Sequence, residues 1–275
     1  MDDHRVRQVA VTAAAVFMIF GTLLGIGVIG TRVEESSGGS LSATATLLAP
    51  AGPAFSIWTV IYIGLVAYTV YQWLPARASS TRLRSIGWLA GASMVLNAAW
   101  LLVTQAGWLW VSVAVIVALV VTLGLLVRTL EREAAPNVVE RVIVDGTFGL
   151  YLGWVAIATA ANITATLVDM GITFGPVGDQ ALAAVVLAVA ACIGVGLSLA
   201  LGARLTVAGA LAWGLAWIAI GRLAVGPISV VTGVAAALAA VVVIGAAVAL
   251  RLRSGTGAQR SSRAARTASA GRSAT

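Results

Sequence analysis

Apolar residues run in long blocks along this chain. Eight such stretches can be drawn, at about 9–31, 54–74, 85–105, 107–128, 143–168, 180–202, 205–221 and 228–250. A bilayer core of ~30 Å is crossed by a helix of about 20 apolar residues, so each block is close to the length of a span. Charged positions are confined almost entirely to the intervals between blocks. This pattern predicts an all-α polytopic membrane protein, because only helices and closed barrels satisfy their backbone hydrogen bonds in lipid.

The polar intervals test the count. All 17 basic residues are arginine. With eight spans and the N-terminus inside, the inner segments hold Arg5 and Arg7, then Arg77, Arg82 and Arg84, then Arg128, Arg132 and Arg141, then Arg204, and finally the six arginines from Arg251 to Arg272. Only Arg32 and Arg222 fall outside. Positive charge gathers on the inner side of membrane proteins, and one helix more or fewer would invert every later loop. Both termini are therefore expected inside.

Composition agrees with this reading. Apolar residues make up 60% of the 275 positions and charged residues 10%, against about 25% charged in soluble domains. The net charge of +7 is carried largely by the tail, where it suits inner-leaflet headgroups better than nucleic acid. The N-terminal block is long and lacks a small-x-small cleavage pattern, so a retained span is expected rather than a signal peptide. The lone cysteine, Cys192, rules out a disulfide within the chain and reads as a small core residue.

Three segments follow from the polar intervals: 1–172 with five spans, 173–252 with three, and a disordered basic tail over 253–275. The boundary is the 169–179 loop, with Asp169, Gly171, Gly175, Pro176 and Asp179. Composition changes across it. Trp, Tyr and Asn occupy the spans before it, and Ala, Val, Leu and Gly dominate after it, Trp213 and Trp217 excepted. The 32–53 loop is the longest on the outer side and is long enough to fold back over the bundle. Gly21 and Gly25 have the spacing that lets helices approach closely, either within the chain or between the protomers of a homodimer.

Seven of the nine tryptophans and all four tyrosines lie between Trp58 and Trp154. On the fifth span, Tyr151, Trp154, Ala158 and Asn162 share an arc of about 80° at 100° per residue. On the second, Phe55, Trp58 and Tyr62 share about 60°. On the third, Asn97 and Trp100 lie three residues apart and occupy neighbouring ridges. An amide is costly to leave unpaired in hydrocarbon, so these faces read as the lining of an aromatic, hydrogen-bonding pocket. The competing reading is packing alone, with Asn97 and Asn162 bonded between helices. Trp73, Trp88, Trp108 and Trp110 sit near span ends and read as interface anchors.

These residues carry a resemblance. Trp58-Thr59-Val60-Ile61-Tyr62 resembles the WTxLY signature of the TspO/MBR family, the tryptophan-rich sensory proteins related to the translocator protein. Leu96-Asn97-Ala98-Ala99-Trp100 is similar to its LNxxW, and Tyr151, Trp154, Ala158 and Asn162 to its YxxWxxxAxxxN. Gly21 and Gly25 resemble its glycine-rich first helix. The resemblance covers about residues 10–168. It implies a five-helix bundle whose first loop covers a pocket for porphyrins, haem-related tetrapyrroles, sterols or aromatic drug-like molecules. Carried over, the lining would be Trp58, Tyr62, Asn97, Trp100, Tyr151, Trp154, Ala158 and Asn162. Two departures stand out. Pro50-Ala51-Gly52-Pro53 replaces the family's WxPP, and Phe55 lies three positions before Trp58, not four. The three further spans have no counterpart in a minimal five-helix member.

The expected function is a ligand-binding membrane sensor or carrier of the cell membrane, whose partners are the bilayer and a small hydrophobic or tetrapyrrole ligand. The alternatives are a secondary transporter of small hydrophobic molecules and, by resemblance, tryptophan-assisted porphyrin breakdown. No ionisable residue is placed mid-span for ion coupling; Asp145 and Arg222 fall near span ends. His4 is the only histidine and no nucleophile–base pair or metal-ligand cluster is evident, so no cofactor is required and hydrolytic chemistry is disfavoured.

Overall fold

The computed structural model describes residues 3–28, 31–78, 80–202 and 204–272, with side chains for 4–28, 31–77, 80–202 and 204–253. Eight long helices carry the chain: α1 Asp3–Gly25, α2 Ile57–Tyr71, α3 Thr81–Gln105, α4 Leu109–Leu130, α5 Thr147–Asp169, α6 Gly175–Ala200, α7 Leu205–Ile220 and α8 Val230–Arg272. Each belongs to a segment long and apolar enough to cross a membrane. No strand occurs among the described residues. The tail expected to be disordered over 253–275 continues α8 as helix as far as Arg272, and 273–275 lie outside the described residues.

Three boundaries differ from the apolar blocks, each for a local reason. α1 begins at Asp3 and stops at Gly25, about six residues earlier than its block, and Gly27 beyond it adopts a left-handed backbone (φ +75°). The fifth segment starts at Val138, where Asn137 Oδ1 caps the helix by accepting from the Glu140 amide (2.8 Å). It then passes through a π-helical turn, Arg141–Gly146, before α5. The seventh ends in a similar turn, Gly221–Val225. Such turns insert a residue into the helical register and re-aim the side chains that follow.

α1 lies along α3, α3 along α4, and α4 along α5; α2 touches α1 and α5. Gly21 and Gly25 serve the first of these contacts. A Cβ on Gly21 would stand 3.0 Å from Ala98, and one on Gly25 would stand 2.7 Å from Leu101 Cδ2. The close-packing face is therefore used within the chain.

The last three helices do not stand apart. α5 packs on α7, α7 on α8 and α8 on α6. Gly153 makes the first junction, since a Cβ there would meet the Val207 carbonyl oxygen at 2.2 Å and Ala210 Cβ at 2.9 Å. Small residues let membrane helices gain dispersion contacts that the hydrophobic effect cannot supply in lipid. α6 buries the stripe Ala183, Leu187, Ala191, Gly194 and Ser198. Cys192 is one residue, or about 100°, off that stripe and is exposed on the outer face of the bundle, contrary to the core position expected of it. Trp73, Trp88, Trp108 and Trp110 are all exposed, as lipid-interface anchors are.

Candidate ligand-binding site

α2, α3 and α5 bring the eight residues singled out by the sequence into one region, in two layers. The inner layer is a cluster of rings. Trp58 stacks on Tyr62 (centroids 5.1 Å, 14° between planes) and presents its edge region to Tyr151 (5.8 Å) and Trp154 (6.2 Å). Phe55, on the same face of the second span, meets Trp154 edge-on at 5.7 Å. The offset and edge-to-face geometries suit the ring quadrupoles. Tyr62 donates to Asn97 Oδ1 (3.2 Å), joining α2 to α3, and Tyr151 donates to the Ser93 carbonyl (3.2 Å), joining α5 to α3.

The outer layer is a small cavity. Trp100, Trp154, Ala158 and Asn162 form its floor with Phe55, and the loop residues Val33, Ser40, Leu41, Ser42, Thr46, Ala49 and Pro50 roof it. Its volume is ≈ 50 Å³. Sites for small molecules run to about 300–1,000 Å³, so a macrocycle enters only if the roof lifts. Trp58, Tyr62, Asn97 and Tyr151 stand behind the floor and do not line this space.

Polar satisfaction separates the two asparagines. Asn162 donates from Nδ2 to Ser112 Oγ on α4 (3.0 Å), the interhelical bond that the packing reading called for. Ser112 was not singled out, because serine is common in spans and its partner lies 50 positions away. Asn97 Nδ2 has no acceptor, nor do the indole N–H groups of Trp100 and Trp154, and all three are buried. An unmade hydrogen bond of this kind costs about 1–3 kcal/mol. Both indoles belong to the cavity floor, so an acceptor arriving there would recover part of that cost.

The roof is fastened at several points. Ser37 donates to the Thr104 carbonyl (2.8 Å) and Ser40 to Asp169 Oδ1 (2.6 Å). The other fastenings come from the last three helices. Arg222, wholly buried, donates to the carbonyls of Thr46 (2.8 Å), Ala43 (2.8 Å) and Ala49 (3.5 Å). Trp213 Nε1 donates to the Ala54 carbonyl (3.0 Å), and the Ala51 amide donates to the Trp217 carbonyl (3.2 Å). Trp213 and Trp217, which the sequence left without a partner motif, thus hold the start of α2 and the end of the loop.

Buried charge collects at the opposite, inner end. Arg82 on α3 pairs with Glu140 (3.0 Å) and Asp145 (2.6 Å), and Arg204 before α7 pairs with Asp145 (2.5 Å) and Glu131. Arg82 also donates to the Glu133 carbonyl (2.8 Å). No His, Cys, Asp or Glu cluster fit for a metal ion occurs among the described residues.

A family model described as TSPO-like protein matches residues 8–248. The chain belongs to the TSPO-like protein family. The match takes in the three helices after residue 168 as well as the five before it, so in this TSPO-like protein the resemblance reaches further than the three short motifs carry it. No curated protein and no solved structure matches the chain. Membership supports a ligand-binding or sensory role in the membrane.

Proposed function

We propose that this TSPO-like protein binds a flat, largely apolar ligand that carries hydrogen-bond acceptors, of which a porphyrin is the type, between the aromatic floor and the 32–53 roof. The observation that carries the reading is that Trp100 and Trp154 both line one cavity and both have buried indole N–H groups without an acceptor. Aromatic faces stack on a macrocycle, and indole donors meet its carboxylates or carbonyls. Lifting the roof admits the ligand, and the roof's fastenings set how often that happens.

Titration of the purified protein with protoporphyrin, followed by quenching of tryptophan fluorescence, tests this. Trp154→Phe keeps a ring but removes the donor, and is expected to weaken binding roughly tenfold. Asn97→Ala removes the anchor of Tyr62 and is expected to weaken it less. Unchanged affinity in both variants would rule out this floor as the site. Illumination of the bound complex then separates simple binding from breakdown.

A further inference from the structure

A second cavity, ≈ 850 Å³, lies at the inner end, on the seam between α2 and α5 on one side and α7 and α8 on the other. One wall is apolar and open to lipid: Val60 and Ile63 of α2, Val142 of the π-helical turn and Leu205 of α7 are all strongly exposed and line it. The other wall is charged. Arg82 and Arg204 are already committed to the buried carboxylates described above. Arg141 and Arg251 also line the cavity and have no carboxylate partner among the described residues. Two acceptors are likewise uncommitted. Asp145 gives its Oδ1 to both Arg82 and Arg204, while its buried Oδ2 has no donor, and the Glu133 carboxylate is in no ion pair.

Two guanidinium groups without a carboxylate partner, beside the unpaired Glu133 carboxylate and the one undonated oxygen of the arginine-paired Asp145, match a zwitterion better than a simple anion. An apolar wall at the depth where arginines mark the inner headgroup layer matches a molecule with acyl chains. We propose that the groove holds one inner-leaflet phospholipid whose headgroup combines a phosphate with a primary ammonium. The phosphate meets Arg141 and Arg251, the ammonium donates toward Glu133 and Asp145, and an acyl chain lies along Val60 and Ile63. Because Arg251 comes from α8 and Arg141 from the turn before α5, the lipid joins the two halves of the chain. The site lies apart from the aromatic floor, and the proposal does not rest on the porphyrin reading.

Native mass spectrometry of the full-length protein in detergent tests it, with phosphatidylethanolamine, phosphatidylglycerol and phosphatidylcholine of the same acyl chains added in equal amounts. One phosphatidylethanolamine per chain is expected to survive activation in preference to the other two. Each arginine near a membrane surface strengthens binding about fivefold, so Arg141→Gln with Arg251→Gln is expected to lower occupancy roughly 25-fold. Arg5→Gln with Arg84→Gln, two exposed inner arginines outside the groove, is expected to leave it unchanged. Retention of phosphatidylcholine or phosphatidylglycerol to the same extent would overturn the ammonium assignment and with it the proposal. So would equal retention in the Arg141/Arg251 double variant. Competition by deacylated glycerophosphoethanolamine at the lipid's own concentration would show a soluble phosphate ester, and not a lipid, to be the occupant.

Discussion

Replacing Arg222 by Met tests what holds the roof down. The side chain is wholly buried, faces no carboxylate, and spans three carbonyls of the loop, two of them at 2.8 Å. A hydrogen bond from a charged donor contributes about 1.5–3 kcal/mol net, so two good ones at the lower figure give about 3 kcal/mol in favour of the closed roof. Against this stands the cost of keeping a guanidinium out of water, which runs to several kcal/mol for an unpaired buried ion. The fork geometry decides the balance, because a guanidinium can serve several carbonyls at once where an ammonium serves as a point charge. Met fills a similar volume and removes both terms. If the bonds dominate, roof opening becomes roughly 100-fold more frequent. Amide hydrogen exchange of the protein in nanodiscs reads this directly. The amides of Ala45 and Ala49, bonded within the loop to the carbonyls of Ser42 and Thr46, should exchange faster by that order, while amides in α3 and α5 keep their protection. Porphyrin should also associate faster. Slower exchange in the loop would mean that desolvation outweighs the bonds, and equal acceleration throughout the bundle would mean that Arg222 stabilises the fold and not the roof.

Other substitutions probe the frame around the site. Gly153→Ala drives a methyl group into the Val207 carbonyl and is expected to cost about 1–3 kcal/mol, seen as a lower thermal midpoint in detergent. Arg82→Gln takes the nearer cation from the fully buried Glu140, which keeps the Tyr71 hydroxyl at 3.1 Å and Arg77 at 3.8 Å, and should cost about 3 kcal/mol by the same measurement, whereas Arg84→Gln on the exposed face of α3 should stay within about 0.5 kcal/mol. Ser112→Ala removes the partner of Asn162 and should cost about 0.6 kcal/mol, with no change in porphyrin affinity if that amide serves packing alone.

The spans were legible because each carries one unbroken signal, and the arginines fixed their parity independently. Asn97, Trp100, Tyr151 and Trp154 were legible because residues three or four apart on a helix share a face, which places a motif before any contact is known. The contacts that finish the site were not legible, since each joins residues far apart in the chain. Arg222 lies 176 positions from Thr46, and Ser112 lies 50 from Asn162. A lone arginine at the outer end of a span, where few arginines belong, was a usable signal of a buried partner. That Asp145 would bridge two arginines was hidden for another reason: the π-helical turn at Arg141–Gly146 re-aims it, and no local propensity marks that turn.

The last three helices explain why a loop so rich in Ser and Gly can seal a membrane-embedded cavity. Residues 32–53 contain two adjacent glycines, Gly38 and Gly39, in left-handed geometry, and their own backbone bonds close only successive short turns, such as Ser42 to Gly39 and Ala45 to Ser42. Contacts from outside join those turns to the bundle. Two fastenings, at Thr104 and Asp169, come from the first five helices, but Arg222 and the Trp217 carbonyl come from α7 and the turn after it. α7 is itself seated on α5 through Gly153, one residue before Trp154 of the floor. The helix that carries the floor therefore also positions the helix that holds the roof. A displacement of α7 by the width of a methyl group at Gly153 would move both Arg222 and the wall beneath it. The five-helix bundle supplies the floor of the candidate site, and the geometry of its closure depends on the three helices that follow.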